Sequence, residues 1–210
     1  MTLKRAFKPR KIPIQARSKA TFDAILEAAA QVLERLGYAE ATTNRIAERA
    51  GVSIGSVYEY FPGKDAIFAA LKERIDQETF EFVLAQLADV TSPTPTELLT
   101  AVLRARIEAA LRRPKLEALL RNEIPSSVFV EQDATSLQRF SDAWRVFLAS
   151  NGDAVRIRNI ETAMRLGPYV VEVTVTGLAN SDPDLLRDPA VVQELTDMMT
   201  RWILKEPEIG

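Results

Sequence analysis

The stretch from Thr42 to Lys64 (TTNRIAERAGVSIGSVYEYFPGK) permits few folds. Thr42 and Thr43 can open a helix, because a threonine hydroxyl accepts from the unpaired backbone N–H groups there. Ile46, Ala47 and Ala50 then make one apolar stripe. Gly51 comes next, where a left-handed residue ends a helix without a Cβ clash. Ser53 is a second N-cap, and Ile54, Val57, Tyr60 and Phe61 form the buried stripe of a second short helix. Pro62-Gly63 stops it. Two short helices around a glycine turn form a helix-turn-helix, a unit whose second helix can enter the DNA major groove.

The opposite face carries the chemistry. Gly55, Ser56, Tyr58 and Glu59 point away from the stripe, and the first two are small enough to let backbone approach base edges. Tyr58 and Lys64 can reach phosphate oxygens, with Arg45 and Arg49 on the outer face of the preceding helix. The charge distribution agrees. Up to Lys64 there are 11 Lys and Arg against 6 Asp and Glu, a balance of +5. The remainder has 16 against 23, a balance of −7, which accounts for the overall −2. A basic head on an acidic body suits a chain that touches a polyanion at one end.

The 210 residues suffice for two modest domains. The chain has no cysteine, which removes disulfides and thiolate metal sites and fits a reducing compartment, the cytoplasm. It has no histidine either, which removes the commonest general base and metal ligand. We therefore expect no catalysis, no metal and no cofactor. No apolar run is long enough to span a membrane.

Residues 1–16, with Lys4, Arg5, Lys8, Arg10, Lys11 and two prolines, read as a flexible basic arm. Such an arm either tracks phosphates or a minor groove, or is a solvated tail. Phe22, Ile25, Leu26, Ala29, Leu33 and Leu36 make a helical stripe that Gly37 closes, completing a three-helix domain over 17–64. A domain that small is marginal and leans on the rest of the chain. One long helix is expected over 65–90. Thr91-Ser92-Pro93 breaks it, and Thr94-Pro95-Thr96-Glu97 reads as a capping box. Further helices are expected to about Arg112, over 114–122 and 127–150, then from Ala154, capped by Asp153, to Leu178 with a kink at Gly167-Pro168. A last one opens at Asp188-Pro189. The sum is an all-α chain of nine helices, with 65–210 as the body.

Residues 17–72 resemble the TetR family of transcriptional regulators. The resemblance lies in Thr42-Thr43, in Ile46-Ala47-Glu48-Arg49-Ala50-Gly51-Val52-Ser53, and in Val57-Tyr58 with Tyr60-Phe61-Pro62-Gly63-Lys64 and Ile67. It implies that Thr42 and Thr43 lie at the DNA, Thr43 as cap and phosphate contact together. Tyr58 and Lys64 would meet phosphates. Arg45, Ser53, Ile54, Gly55 and Ser56 would face the major groove, with Ile54 either against a thymine methyl or simply core. For the body it implies a ligand cavity among the middle helices and a dimer built on the last two.

Phe80, Phe82, Phe129, Phe140, Trp144 and Phe147 are the large side chains available to such a cavity. The expected ligand contacts are Arg106, Asn122, Phe129, Gln138, Phe140, Trp144 and Glu172; Arg139 is a further polar candidate. A charge found inside would mark a ligand contact or an ion pair, because an unpaired buried charge is costly. Ala163, Leu166, Val170 and Val173 on one terminal helix, with Val191, Leu195, Met198, Met199 and Trp202 on the other, exceed what one buried face needs. Two protomers pairing there make a two-fold homodimer, and a two-fold dimer calls for a palindromic operator. The reading is a repressor released from DNA by a small, largely apolar effector. The alternatives are a regulator answering to a protein partner, an activator, or a helical enzyme using carboxylates.

Overall fold

The computed structural model describes residues 7–88, 94–157 and 159–205. Among the described residues there are ten α-helices and no strand, and no helix is long and apolar enough to cross a membrane. The chain divides into two compact units, Met1–Asp76 with Lys115–Asp133, and Gln77–Pro114 with Ala134–Gly210.

The first unit holds α1 (Ala16–Glu40), α2 (Thr43–Ala50), α3 (Ile54–Tyr60), the first half of α4 (Lys64–Ala88) and α6 (Pro114–Glu123). The cap signals act as expected. Thr42 Oγ1 accepts from Arg45 N, and Ser53 Oγ accepts from Ser56 N. Gly51 takes φ +67, in the left-handed region. Gly37 takes φ +75 and interrupts α1 where the stripe ends. The core joins Ile25, Leu26 and Leu33 to Ile46, Val57, Phe61, Ile67 and Phe68. It also takes in Leu116, Leu120, Ile124, Val128 and Phe129. The support that so small a head needs thus comes from a segment fifty residues further along, which repeats an apolar residue at every fourth position. Glu123 joins it by accepting from Tyr38 N at 2.7 Å. The start of α4 adds two more bonds to the same residue. Lys64 Nζ donates to Tyr38 O at 2.8 Å, and Tyr38 donates its hydroxyl to Asp65 Oδ1 at 2.6 Å.

Of the arm expected over 1–16, Lys4 and Arg5 lie outside the described residues. Lys8 pairs with Glu131 at 2.7 Å. Arg10 donates from its backbone to Tyr60 O and from Nη1 to Tyr58 O, closing carbonyls that the end of α3 leaves unpaired.

The second unit holds the remainder of α4, with α5 (Pro95–Ala110), α7 (Val130–Ser150), α8 (Ile160–Ser181), α9 (Pro183–Arg187) and α10 (Pro189–Ile203). The break expected at Thr91-Ser92-Pro93 lies outside the described residues. The capping box is formed: Glu97 N donates to Thr94 Oγ1, and Thr94 N donates to Glu97 Oε2. Those bonds hold the Glu97 carboxyl below the usual carboxylate range. The β-branched run Val170–Thr176 lies inside α8, as does Pro168.

Two expectations fail locally. The helix expected from Ala154 begins at Ile160, with Asn159 rather than Asp153 accepting from its first turn. Gly152–Ala154 form a 3-10 turn and the chain turns extended at Val155 instead, where Val155 and Ile157 pack on an apolar cluster around Phe147 and Ile203. That segment also exchanges backbone bonds with the chain end, Arg156 N to Ile203 O and Lys205 N to Ala154 O, both at 2.8 Å. The tenth helix is α9, opened by Asp182-Pro183 with the same cue as Asp188-Pro189.

Candidate functional site

The first candidate site is the outer face of α2 and α3. Thr42, Arg45, Ser53, Ile54, Gly55 and Tyr58 are exposed there, and Thr43, Ser56 and Lys64 are half-buried. Ile54, whose helical position allows either core or groove, is 38% exposed and stands outside the stripe of Val57, Tyr60 and Phe61. The two helices meet where Thr43 Oγ1 and the Tyr58 hydroxyl share a hydrogen bond at 3.3 Å. That contact brings two hydroxyls to the free N–H groups at the start of α2, a place that favours an anion. At the start of α3, a Cβ built on Gly55 would meet only Ser53 Oγ, at 3.6 Å. Packing therefore does not demand glycine there, and the space lies open on the exposed side. Arg45 is held by Glu40, Nη1 to the carboxylate at 2.6 Å and to the backbone O at 2.7 Å. Both partners are exposed, so the pair is weak and easily exchanged. Lys64 lies over the Tyr38 ring at 3.9 Å while it binds the Tyr38 carbonyl. Burial first, then the hydrogen bond and charge of Asp65, raise the Tyr38 hydroxyl above the ordinary tyrosine value.

The second candidate site is a cavity of about 650 Å³ inside the second unit, with walls from α4, α5, α7, α8 and α10. A cavity of that size falls within the roughly 300–1,000 Å³ usual for small-molecule pockets. Of the seven residues expected at a ligand, Arg106, Phe140, Trp144 and Glu172 line it. The other three do not, each for a local reason. Phe129 is part of the first unit's core, and Asn122 is exposed on α6 in that same unit. Gln138 is exposed on α7 and donates to Asp142 at 2.9 Å. Phe140, Trp144 and Phe147 share the inner face, with the last two stacked at 5.2 Å.

Arg106 continues the stripe of Leu99 and Leu103 and is 6% exposed. It donates from Nε and Nη2 to the two carboxylate oxygens of Glu172, at 3.0 and 2.9 Å. In the sequence both stand among five polar candidates, Arg106, Asn122, Gln138, Arg139 and Glu172, that it does not rank. Gly167, expected as part of a kink, has another role. A Cβ there would lie 2.6–2.8 Å from the Trp144 indole, whose Nε1 donates to Ala163 O at 3.0 Å. The α4 wall of Val83, Leu84 and Leu87 had no signal beyond ordinary helical spacing.

On α8 and α10, Leu166, Val173 and Met198 are 44–52% exposed. Tyr169, which the apolar pattern alone does not mark, joins them at one turn from Leu166. Val170, Val191, Leu195 and Trp202 are half-buried against this unit's own clusters. Ala163 and Met199 are enclosed within the protomer at 1% exposure, which removes them from the outer face.

Both the head and the body of the chain match known family models. The family model for bacterial regulatory proteins of the tetR family matches residues 25–71. The model for a tetracyclin repressor-like C-terminal domain matches residues 94–202, about half of the chain. The nucleoid occlusion factor SlmA of Actinobacillus pleuropneumoniae (strain L20) is 34% identical over 115 residues, 51% of this chain. That stretch is 56% of the relative's own length, so the chain spans little more than half of it. The regulator BetI 1 of Chromohalobacter salexigens is 27% identical over 121 residues, 57% of this chain and 58% of its own. Among solved structures, the fatty acid degradation regulator FadR of Bacillus halodurans superimposes with a TM-score of 0.69 at 19% identity, over 90% of this chain and 96% of that one. SmeT in complex with triclosan superimposes with a TM-score of 0.66 at 23% identity, over 90% and 93%. Helix-turn-helix head and helical body thus match together, and the chain belongs to the TetR family of DNA-binding transcriptional regulators.

Proposed function

We propose that this chain is a homodimeric repressor, released from a palindromic operator by a small, largely apolar ligand. The observation that carries the ligand is the cavity, which is large enough for a small molecule and walled mainly by leucine, valine, phenylalanine and tryptophan. A regulator answering to a protein partner has no need of it. The two carboxylates at its wall are engaged, Asp142 with Arg145 and Glu172 with Arg106, which favours binding over acid–base work. In this reading Ser53, Ile54, Gly55 and Ser56 face the major groove. Thr43, Tyr58 and Lys64 hold phosphates, and Arg45 exchanges Glu40 for DNA. Leu166, Tyr169, Val173 and Met198 form the outer part of the dimer surface. The ligand acts by preferring a dimer whose recognition helices no longer match successive grooves. A preference of about 1–3 kcal/mol is typical of such coupling.

The test is binding of the purified protein to a genomic fragment library at two salt concentrations, with the bound fragments sequenced. One palindromic motif, bound less tightly as salt rises, is the expected outcome. Salt-sensitive binding without a motif overturns the operator. With the motif in hand, an operator complex that no apolar compound dissociates overturns the ligand.

A further inference from the structure

Resting on the reading of the cavity as the effector site, we infer that its ligand is an uncharged apolar molecule carrying one hydroxyl, which donates to Glu172. Four charged residues line the cavity, Arg106, Arg139, Asp142 and Glu172. Asp142 is exposed and already accepts from Gln138 and Arg145. Arg139 has an interaction of its own, with Nη1 buried and not hydrogen-bonded. The Arg106–Glu172 pair is the ion pair with a buried member set into the apolar wall.

The two partners are unequally covered. The Arg106 side chain is 6% exposed, whereas that of Glu172 is 33% exposed. The guanidinium spends Nε and Nη2 on the carboxylate. A carboxylate has about four lone-pair sites and can only accept. What a ligand meets is therefore an acceptor with unused capacity, oriented by a cation behind it.

Each ligand charge class fares differently against that surface. An anion meets the carboxylate first, and reaches Arg106 only by displacing Glu172 from a bidentate pair, which strands a carboxylate in an apolar wall. A cation gains from Glu172 but is opposed by Arg106 immediately behind it; the pair is neutral overall, and the cation's desolvation is left uncompensated. A neutral hydroxyl loses little hydration and makes a charge-assisted hydrogen bond. Its apolar body lies against Phe140, Trp144 and Val171.

The experiment measures affinity of the full chain for four probes with one apolar body: hexylbenzene, para-hexylphenol, para-hexylbenzoate and para-hexylbenzylammonium. Calorimetry at neutral pH serves as readout. The phenol is expected to bind about tenfold more tightly than hexylbenzene, and both ions more weakly than hexylbenzene. In the double variant Arg106→Met with Glu172→Met, which replaces the pair by apolar volume, the phenol's advantage over hexylbenzene disappears. Tighter binding of either ion than of the phenol overturns the inference. So does a phenol advantage that survives the double variant. Equal binding of phenol and hexylbenzene overturns the hydroxyl but leaves the cavity as a ligand site, whereas no binding of any probe overturns both.

Discussion

At Gly167 a hydrogen atom is all the space allows. The Trp144 indole lies where a Cβ would be, 2.6–2.8 Å away, and its Nε1 is committed to Ala163 O. Gly167→Ala must push the indole aside. The expected cost is about 2 kcal/mol by overpacking, together with a changed tryptophan emission. Urea unfolding checks it, and an unchanged midpoint with unchanged emission counts against this packing. Tyr38 offers a test with pH. Its hydroxyl keeps its proton more tightly in the folded chain than the ordinary value of 10.0 allows. Above that value the unfolded chain releases the proton first. Stability is therefore fully present below pH 10.0 and falls as pH rises towards the folded value. Tyr38→Phe removes the bond to Asp65 and should cost about 1 kcal/mol at neutral pH. It also removes the titration. Urea midpoints of the two proteins should thus converge as pH is raised past the ordinary tyrosine value, and a constant gap would be the contrary result.

Helix α3, proposed to face the major groove, separates folding from function at Gly55. An added Cβ there meets nothing closer than Ser53 Oγ at 3.6 Å. Alanine in place of glycine within a helix stabilises by about 0.5–1 kcal/mol. Gly55→Ala should therefore raise the unfolding midpoint slightly. If the backbone of this turn approaches base edges, the same methyl group should lower operator affinity about tenfold, comparable to one mismatched base pair. The measurement is unfolding and operator titration on the same preparation. Unchanged operator affinity removes Gly55 from the groove. Neighbouring α2 is legible in the sequence because every cue that defines it is local: the Thr42 cap, the Ile46–Ala47 stripe and the left-handed Gly51. Residues 154–157 show where such cues stop. Val155 and Ile157 suit a helix flank or an extended run, and only the distant Leu204 and the apolar cluster beneath decide for the latter.

For the whole molecule the decisive quantity is the oligomeric state. Leu166, Tyr169, Val173 and Met198 leave an apolar stripe on the outside of α8 and α10. Val173→Arg places a charge on that stripe with no clash inside the protomer, since the residue is 52% exposed. The variant should remain folded, sediment as a monomer at concentrations where the unaltered protein is dimeric, and lose on the order of 100-fold in operator affinity, because two linked half-sites become one. A dimeric Val173→Arg protein with full affinity would place the interface elsewhere.

What the sequence by itself determined is local: an all-α chain, the helix-turn-helix, its caps and turns, and the exposed polar face on α3. These arise from side-chain spacing within a few turns and from the hydrogen-bonding needs of helix ends. Tertiary structure alone decided which distant segments share a core and which residues enclose a cavity. It assigned Leu116 to Phe129 to the first unit's core rather than to the body, taking Phe129 out of the set around the cavity and leaving Asn122 on the first unit's surface. It brought α5 and α8 together so that Arg106 could meet Glu172 across sixty-six residues. The reason is physical. A helical period reveals that a face will be buried but not against what, because a leucine stripe is satisfied equally well by any apolar partner of the right shape.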